Sequence, residues 1–152
     1  MRMTRTGEPS SYEPQVGAVW EASSAFKPTG VGPSYSIVMP PPNANGNLHI
    51  GHGLMAALED ILVRYHKMKG YDAIYLPGAD HAGFETWVVY ERLLSQEGKS
   101  RVDFSRDELY SQVWDFVAKQ RGNMEIQLRA LGAGADWDNL TFTLDNKVIN
   151  RV

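Results

Sequence analysis

The stretch from Ser34 to Met68 limits the possible folds of this chain more than any other part of its sequence. Residues 34–39 form a short apolar run with β-branched members, which is typical of a buried strand. The intervening loop, residues 40–52, contains three prolines, three asparagines and two histidines. Beyond it, apolar residues recur at the spacing of one helix face: Leu54, Ala57, Leu58, Ile61, Leu62, Tyr65 and Met68. This order places free N–H groups and the positive end of a helix dipole where an anion can bind.

The loop ends in two histidines, His49 and His52, which are three residues apart. If the helix has begun by Leu48, both rings lie on one side of its first turn. Gly51 has no side chain, so a ligand can approach the backbone between the rings. Two imidazoles at a helix start suit the negative charge that grows on a phosphoryl or nucleotidyl group under attack. The spacing alone leaves two other interpretations open, which are a metal site that needs a further ligand and an ordinary surface turn.

Composition narrows the class of protein. The chain has 152 residues, which is enough for one compact domain with a core. No run of apolar residues is long enough for a transmembrane helix, and no apolar segment follows Arg2 and Arg5 as in a secretory signal. The absence of cysteine excludes disulfides and thiolate zinc sites. A net charge of −3 is not that of a stand-alone nucleic-acid-binding protein.

A second apolar, β-prone run spans residues 71–76. Two such strands joined by a helix form a parallel crossover, so the sequence predicts an α/β fold. Asp80 and His81 follow the second strand, as the polar loop follows the first. Parallel sheets bind ligands at the carboxyl ends of their strands, so Asp80 and His81 are expected to face the same crevice as the two histidines. The Asp80 carboxylate can hold an ammonium group there or can cap the next helix, and the sequence leaves both roles open.

The rest of the chain is predicted to be mainly helical. Residues 1–11 are polar and are expected to be a flexible lead, and helices are expected over residues 12–26 and 84–97. Ser105 and Glu108 form a capping box that opens a long helix to about Leu131. Its predicted buried side consists of Leu109, Val113, Phe116, Val117, Met124, Ile126 and Leu128. After a flexible break at residues 132–135, an extended segment is expected from residue 136.

The loop also carries a family resemblance. His49-Ile50-Gly51-His52 resembles the HIGH motif of class I aminoacyl-tRNA synthetases and related nucleotidyltransferases. The longer pattern over residues 40–52 is similar to the valyl-tRNA synthetase branch of that class. The likeness covers nearly the whole chain from Tyr12, and its clearest further matches are residues 64–70, 76–83, 97–99, 131–133, Asp136-Trp137 and Phe142-Thr143.

The resemblance implies a Rossmann-like catalytic domain that an inserted editing domain divides. It implies activation of valine with ATP, which carries Mg²⁺, to valyl-adenylate, followed by transfer of the valine to tRNA(Val). It further implies a cytoplasmic protein, monomeric at full length and without a membrane anchor. By this interpretation residues 1–11 are a flexible N-terminus, residues 12–135 are the first half of the catalytic domain, and residues 136–152 begin the connection to the editing domain. The sheet of two strands would have an open edge, as expected for the front part of a larger protein.

Residue roles follow from the same resemblance. His49 and His52 would stabilise the phosphates while the valine carboxylate attacks the α-phosphorus, so no protein base is required. Asp80 would hold the α-ammonium group of valine. The other implied positions are Pro42, Asn43, Gly46 and Gly51 for ATP, and Pro41, Pro42 and Asn43 for valine, with no metal ligand.

The chain departs from the common family pattern at several positions. Ala44 and Asn45 stand where Val-Thr is common, and Ala79 stands where Thr is common. Phe84-Glu85-Thr86-Trp87 stands where Ile-Ala-Thr-Gln is common. The lysine-rich KMSKS loop of the family is not in this sequence, so we expect little or no aminoacylation by these 152 residues alone. Two rival functions are a stand-alone HIGH-type nucleotidyltransferase and a non-catalytic remnant that binds a nucleotide or a partner protein.

Overall fold

A computed structural model describes residues 8–150 of the chain. In that range the helices are α1 (Pro9–Ser23), α2 (Ile50–Met68), α3 (Phe84–Gln96), α4 (Arg106–Ala130) and α5 (Asn146–Ile149). The strands are β1 (Ser34–Val38), β2 (Asp72–Leu76), β3 (Gly78–Ala79) and β4 (Thr141–Phe142). Single 3₁₀ turns lie at Arg101–Asp103 and Trp137–Asn139.

The predicted boundaries differ from the observed ones mainly at the two ends. Residues 1–7 of the expected flexible lead lie outside the described residues, but Pro9 to Ser11 already belong to α1. The prediction is wrong for these three residues because proline fits the first turn of a helix, where its missing N–H is not needed. The extended segment expected from residue 136 is reduced to the two residues of β4, and α5 follows it.

The strands form two small parallel sheets. β1 pairs with β2 from Ser34 opposite Asp72 to Val38 opposite Leu76, and α2 is the crossover between them. β3 pairs with β4, with Gly78 opposite Thr141. The predicted α/β class, with parallel strands and covering helices, is confirmed.

The first strand is less buried than predicted. β1 alternates between exposed and half-buried residues, and Val38 is 67% exposed, whereas Ala73 and Tyr75 of β2 are fully buried. The expectation of a buried first strand is wrong because β1 has a single neighbouring strand among residues 8–150. Its other edge is open, as the two-strand count had indicated.

Helix α2 is observed as predicted, but its apolar stripe is exposed. Six large side chains on it are 47–89% exposed, namely Leu54, Leu58, Ile61, Leu62, Tyr65 and Met68. The face that packs inward instead carries Ala56, Asp60 and Val63. Helical periodicity therefore predicted α2 correctly. The face of α2 that meets the core is the one that carries Ala56, Val63 and the Asp60 carboxylate.

A partly buried ion pair ties α2 to the segment after α4. The Arg64 Nε donates to Asp60 Oδ2 at 2.8 Å, as their spacing allows, and its guanidinium also donates to the Gly132 carbonyl at 2.7 Å. The Gly134 N–H donates to Asp60 Oδ1 at 3.2 Å. A Cβ on Gly134 would lie 2.4 Å from the Phe26 ring, so only glycine fits there. Residues 133–135 are buried, so the expected flexible break is packed into the core.

Helix α4 begins and ends close to the predicted residues. The Ser105 N–H donates to Glu108 Oε2 at 2.9 Å and the Glu108 N–H donates to Ser105 Oγ at 3.3 Å, which confirms the capping box. Of the predicted inner side, Val117, Met124 and Leu128 are buried and Leu109, Val113 and Phe116 are half-buried. Ile126 is 66% exposed and was wrongly included, because it lies two residues from both Met124 and Leu128 and so faces the other way.

The core gathers around the loop ends of β1 and β2. Its fully buried members include Met39, Ala44, Ala56, Val63, Tyr75, Ala79 and Met124. Within residues 8–150, no helix has the length and apolarity needed to cross a lipid bilayer.

Candidate active site

The two histidines cap the start of α2 reciprocally. The Gly51 N–H donates to His49 Nδ1 at 3.0 Å, and the His49 N–H donates to His52 Nδ1 at 3.2 Å. His49 is the N-cap residue, with φ −107° and ψ 171°, so the helix starts at Ile50 rather than by Leu48. The rings stack with their centroids 3.9 Å apart. This is a capping box in which imidazoles replace the usual hydroxyl and carboxylate.

The reciprocal cap fixes which nitrogen carries the proton in each ring. Because both Nδ1 atoms accept hydrogen bonds, each neutral ring carries its hydrogen on Nε2. Partial burial, and secondarily the nearby His49, lower the pKa of His52, which favours its neutral form at pH 7. Neither Nε2 has a hydrogen-bond partner among residues 8–150, so the pair offers two free N–H donors beside a helix N-terminus.

Gly51 makes room for one of these rings. A Cβ at this position would lie 2.8 Å from His49 Cε1 and 2.9 Å from His49 Nδ1. The space beside the Gly51 Cα, which the sequence had suggested was open to a ligand, is therefore occupied by the imidazole. Gly53, two residues later, has no atom within 4 Å of such a Cβ.

The loops after β1 and β2 are paired by their backbones. The Asp80 N–H donates to the Pro42 carbonyl at 2.9 Å, and the Ala44 N–H donates to the Asp80 carbonyl at 2.7 Å. Asn43 and Asp80 thus form an isolated parallel bridge that continues the sheet past its strands. The structure therefore brings Asn43 and Asp80 side by side, at the carboxyl ends of both strands.

The remaining predicted loop residues differ in their surroundings. Pro42 is buried, whereas Pro41 and Asn43 are exposed and Gly46 is half-exposed. A Cβ on Gly78 would lie 3.2 Å from Pro41 Cβ, so Gly78 lets the two loops approach closely. Pro41 and Asn43 are accessible to a ligand, while Pro42 contributes its carbonyl to the fold.

Helix α4 holds the end of the loop, which sequence reasoning missed. The Gln127 Oε1 accepts from the Leu48 N–H at 2.8 Å, and its Nε2 donates to Asn47 Oδ1 at 2.9 Å. Asn123 also donates to Asn47 Oδ1, at 2.7 Å. A glutamine and an asparagine four residues apart on α4 share one face, but nothing in the sequence indicates that this face meets the loop.

Asp80 binds a residue that the sequence analysis gave no role. The Thr143 hydroxyl donates to Asp80 Oδ1 at 2.9 Å, and the side chain of Asp80 is 33% exposed. The His81 Nδ1 lies 3.3 Å from the same carboxylate oxygen. Helix α3 has Gly83 at its N-cap and no side-chain cap, so the alternative role of Asp80 as a helix cap is wrong. The only sequence signal for Thr143 was its place in the family-like pair Phe142-Thr143.

Within residues 8–150, no group of three His, Cys, Asp or Glu side chains is arranged to hold a metal ion. The histidine pair lacks the further protein ligand that a structural or catalytic zinc site requires. What the site offers in its described part is hydrogen-bond donors at the start of α2 and a half-exposed carboxylate on the neighbouring loop.

Several curated proteins are similar in sequence to nearly the whole of this chain. A valine–tRNA ligase of Fervidobacterium nodosum is 45% identical over 148 residues, which are 95% of this chain and 17% of the relative. Valine–tRNA ligases of Caulobacter vibrioides and Thermus thermophilus are 46% and 44% identical over 94% and 97% of the chain. The chain spans about one sixth of the length of these relatives.

A solved structure and a family model both match most of this chain. The LeuRS of Agrobacterium radiobacter K84, solved in a ternary complex with tRNA and LeuAMS, matches 95% of this chain and 17% of that chain with a TM-score of 0.74 and 20% identity. This likeness confirms the predicted Rossmann-like fold. The model of the family described as tRNA synthetases class I (I, L, M and V) matches residues 15–152. The chain therefore belongs to the class I tRNA synthetases of the I, L, M and V group.

Proposed function

We propose that this chain is part of a valine–tRNA ligase, which joins valine to ATP as valyl-adenylate and then transfers the valine to tRNA(Val). The observation that carries the proposal is the reciprocal His49–His52 cap at the start of α2. Identities of 44–46% with valine–tRNA ligases support valine over the other amino acids of the family.

In the proposed reaction the two imidazoles act as hydrogen-bond donors. Their Nε2–H groups meet oxygens of the ATP phosphates as a valine carboxylate oxygen bonds to the α-phosphorus and pyrophosphate leaves. Neutral donors suit this role because they hold the growing charge without exchanging a proton. A donor aimed at such charge is worth about 10²–10³ in kcat. The N-terminus of α2 adds its dipole to the same region.

Asp80 is the proposed ligand of the valine α-ammonium group. Its Oδ2 has no hydrogen-bond donor among residues 8–150, and its side chain is partly exposed. A charge-assisted hydrogen bond of this kind contributes about 1.5–3 kcal/mol. Pro41, Pro42 and Asn43 are proposed to border the valine, and Pro42, Asn43, Gly46 and Gly51 to border ATP.

The surrounding organisation is also a proposal. Residues 12–135 are the first half of the catalytic domain, and residues 136–152 begin the connection to an editing domain. ATP enters with Mg²⁺ as part of the substrate. The full-length protein acts as a monomer in the cytoplasm.

Valine-dependent exchange of pyrophosphate into ATP by the complete gene product tests the proposal. We expect exchange with valine, weaker exchange with threonine or isoleucine, and none without an amino acid. Exchange that needs no amino acid favours a stand-alone nucleotidyltransferase, and its complete absence favours a non-catalytic remnant. In the active protein, Asp80→Ala should raise the KM for valine more than the KM for ATP.

The 152-residue chain by itself is expected to show little or no exchange, because the second phosphate-binding loop of the family is not in its sequence. Comparing equal concentrations of this chain and the complete gene product measures the difference. Turnover by the chain close to that of the complete protein would refute this expectation.

A further inference from the structure

Thr143 sits at the centre of a hydrogen-bond network around Asp80. Its hydroxyl oxygen lies 2.9 Å from Asp80 Oδ1 and 2.7 Å from His81 Nδ1. The same oxygen accepts from the His81 backbone N–H at 3.0 Å. One hydroxyl therefore contacts the carboxylate, the neighbouring imidazole and the backbone that connects them.

The proton count of this network has one consistent solution. A hydroxyl has one hydrogen to donate and two lone pairs to accept with. An ionised Asp80 carboxylate has no hydrogen to donate, so its Oδ1 can only accept. The hydrogen of the Thr143 hydroxyl therefore points to this oxygen. His81 must then donate through Nδ1–H, and with the His81 backbone N–H it fills both lone pairs. The hydroxyl of Thr143 is fully used, and Asp80 Oδ2 has no donor in the described part of the chain.

Thr143 reaches Asp80 because β4 pairs with β3. The parallel pairing sets Phe142 opposite Ala79, and the Thr143 N–H donates to the Ala79 carbonyl at 3.2 Å. Asp145 closes the turn beyond it by accepting from the Phe142 N–H at 2.9 Å. The backbone, and not the hydroxyl, holds β4 in place, so removal of the hydroxyl should leave this strand docked.

We propose that Thr143 is a positioning residue that aims the Asp80 carboxylate at the ammonium group of the amino acid substrate. The proposal rests on the amino-acid-binding role of Asp80 given above. With Oδ1 held by Thr143, the carboxylate presents Oδ2 in one orientation. Without the hydroxyl, Asp80 is free to rotate towards solvent or towards the His81 imidazole, 3.3 Å away.

Thr143→Val in the complete gene product removes the hydroxyl and keeps the shape of the side chain. By pyrophosphate exchange, we expect the KM for valine to rise about tenfold, in line with the loss of one hydrogen bond. The KM for ATP should stay within about twofold of the wild type, because no phosphate contact is altered. The single variant Thr143→Ser keeps the hydroxyl, so its KM for valine should stay close to that of the wild type.

Two ligands that differ only in the ammonium group separate aiming from general damage. Valyl-sulfamoyl-adenosine carries the ammonium, and its isovaleryl analogue lacks it. Thr143→Val should weaken inhibition by the first about tenfold and leave inhibition by the second unchanged. Equal losses for both ligands, or failure of Thr143→Ser to restore the KM, would overturn the proposal. If Thr143→Val does not fold, Thr143→Ala is measured with the same ligand pair and the same criteria.

Failure of this inference is distinguishable from failure of the proposed function. If Asp80→Ala leaves the KM for valine unchanged, the role of Asp80 is wrong. If Asp80→Ala raises that KM but Thr143→Val does not, only the positioning role is wrong. In an Asp80→Ala background, Thr143→Val should have no further effect, because it acts through the carboxylate.

Discussion

The two halves of the candidate site are assembled in different ways. The histidine cap forms from hydrogen bonds between residues two or three apart, so it is complete once the first turn of α2 exists. The carboxylate site requires a hydroxyl 63 residues away, which arrives only when β4 pairs with β3. The proposed donors for phosphate are thus a local property of the sequence, and the orientation of Asp80 is a property of the tertiary fold.

Replacing the histidines should have the largest effect and tests whether the cap acts as one unit. In the complete gene product, His49→Ala or His52→Ala should each lower kcat of exchange about 10²–10³-fold, because one donor is lost and the other ring loses its stacking partner. The double variant should cost much less than the product of the single effects. Single and double variants whose effects multiply independently would show that the two stacked rings do not support each other.

Gly51→Ala should displace a ring without removing it. The new Cβ would lie 2.8 Å from the His49 ring, which must turn away. A shift of about 1 Å in the His49 ring, if this ring is a catalytic donor as proposed, should lower kcat about a hundredfold. The unfolding midpoint should change little, because the helix propensity gained with alanine offsets the loss of the His49 cap.

Gly53→Ala is the matched control for that variant. It introduces the same methyl group into open space on the same helix. It should stabilise the protein by about 0.5–1 kcal/mol and leave kcat near the wild-type value. Equal kcat losses for the two alanine variants would show that the His49 ring does not depend on Gly51.

Asp60→Ala should affect the tertiary half of the site more than the local half. It leaves Arg64 without its carboxylate partner and the Gly134 N–H without its acceptor, which should cost about 3 kcal/mol in unfolding free energy. Amide hydrogen exchange should accelerate more at Asp80 and Thr143 than at His52, since the freed segment leads into β4. Uniform acceleration at all three amides would contradict the distinction between the two halves.

A change of pH should give the smallest effect, confined to the local half. The folded pKa of His52 lies below its ordinary value of 6.5, so below that pH the unfolded chain takes up this proton first. The contribution of neutral His52 to the free energy of unfolding is therefore fully present above pH 6.5, and it is lost as the pH falls towards the folded pKa of His52. Chemical unfolding of wild type and His52→Gln at several pH values measures it. A variant that retains the same pH dependence would rule out His52 as its source.

Sequence patterns predicted the elements whose signals are local. The crossover β1–α2–β2 followed from periodicity, and the Ser105–Glu108 box marked the start of α4. Burial was predicted less well, because it depends on what covers each face. β1 is half-exposed since it has one neighbouring strand in the described range, and the apolar stripe of α2 faces outward.

The candidate site divides in the same way. His49, His52 and Asp80 were predicted as site residues from motif and position, and the loops that carry them meet at the strand ends. Thr143 and Gln127 could not be recognised, because their partners are 63 and 79 residues away. A two-residue strand such as β4 carries no periodic signal, so its pairing with β3 had no counterpart in the sequence.

Histidine-selective ¹⁵N NMR of the chain tests the central feature of the site, the paired Nε2–H donors. At pH 7, His49 and His52 should show unprotonated Nδ1 and protonated Nε2 resonances. Addition of ATP with Mg²⁺ should shift both Nε2 resonances and leave both Nδ1 atoms as acceptors. Rings that carry their hydrogen on Nδ1, or Nε2 resonances that do not move at saturating ATP, would contradict the account.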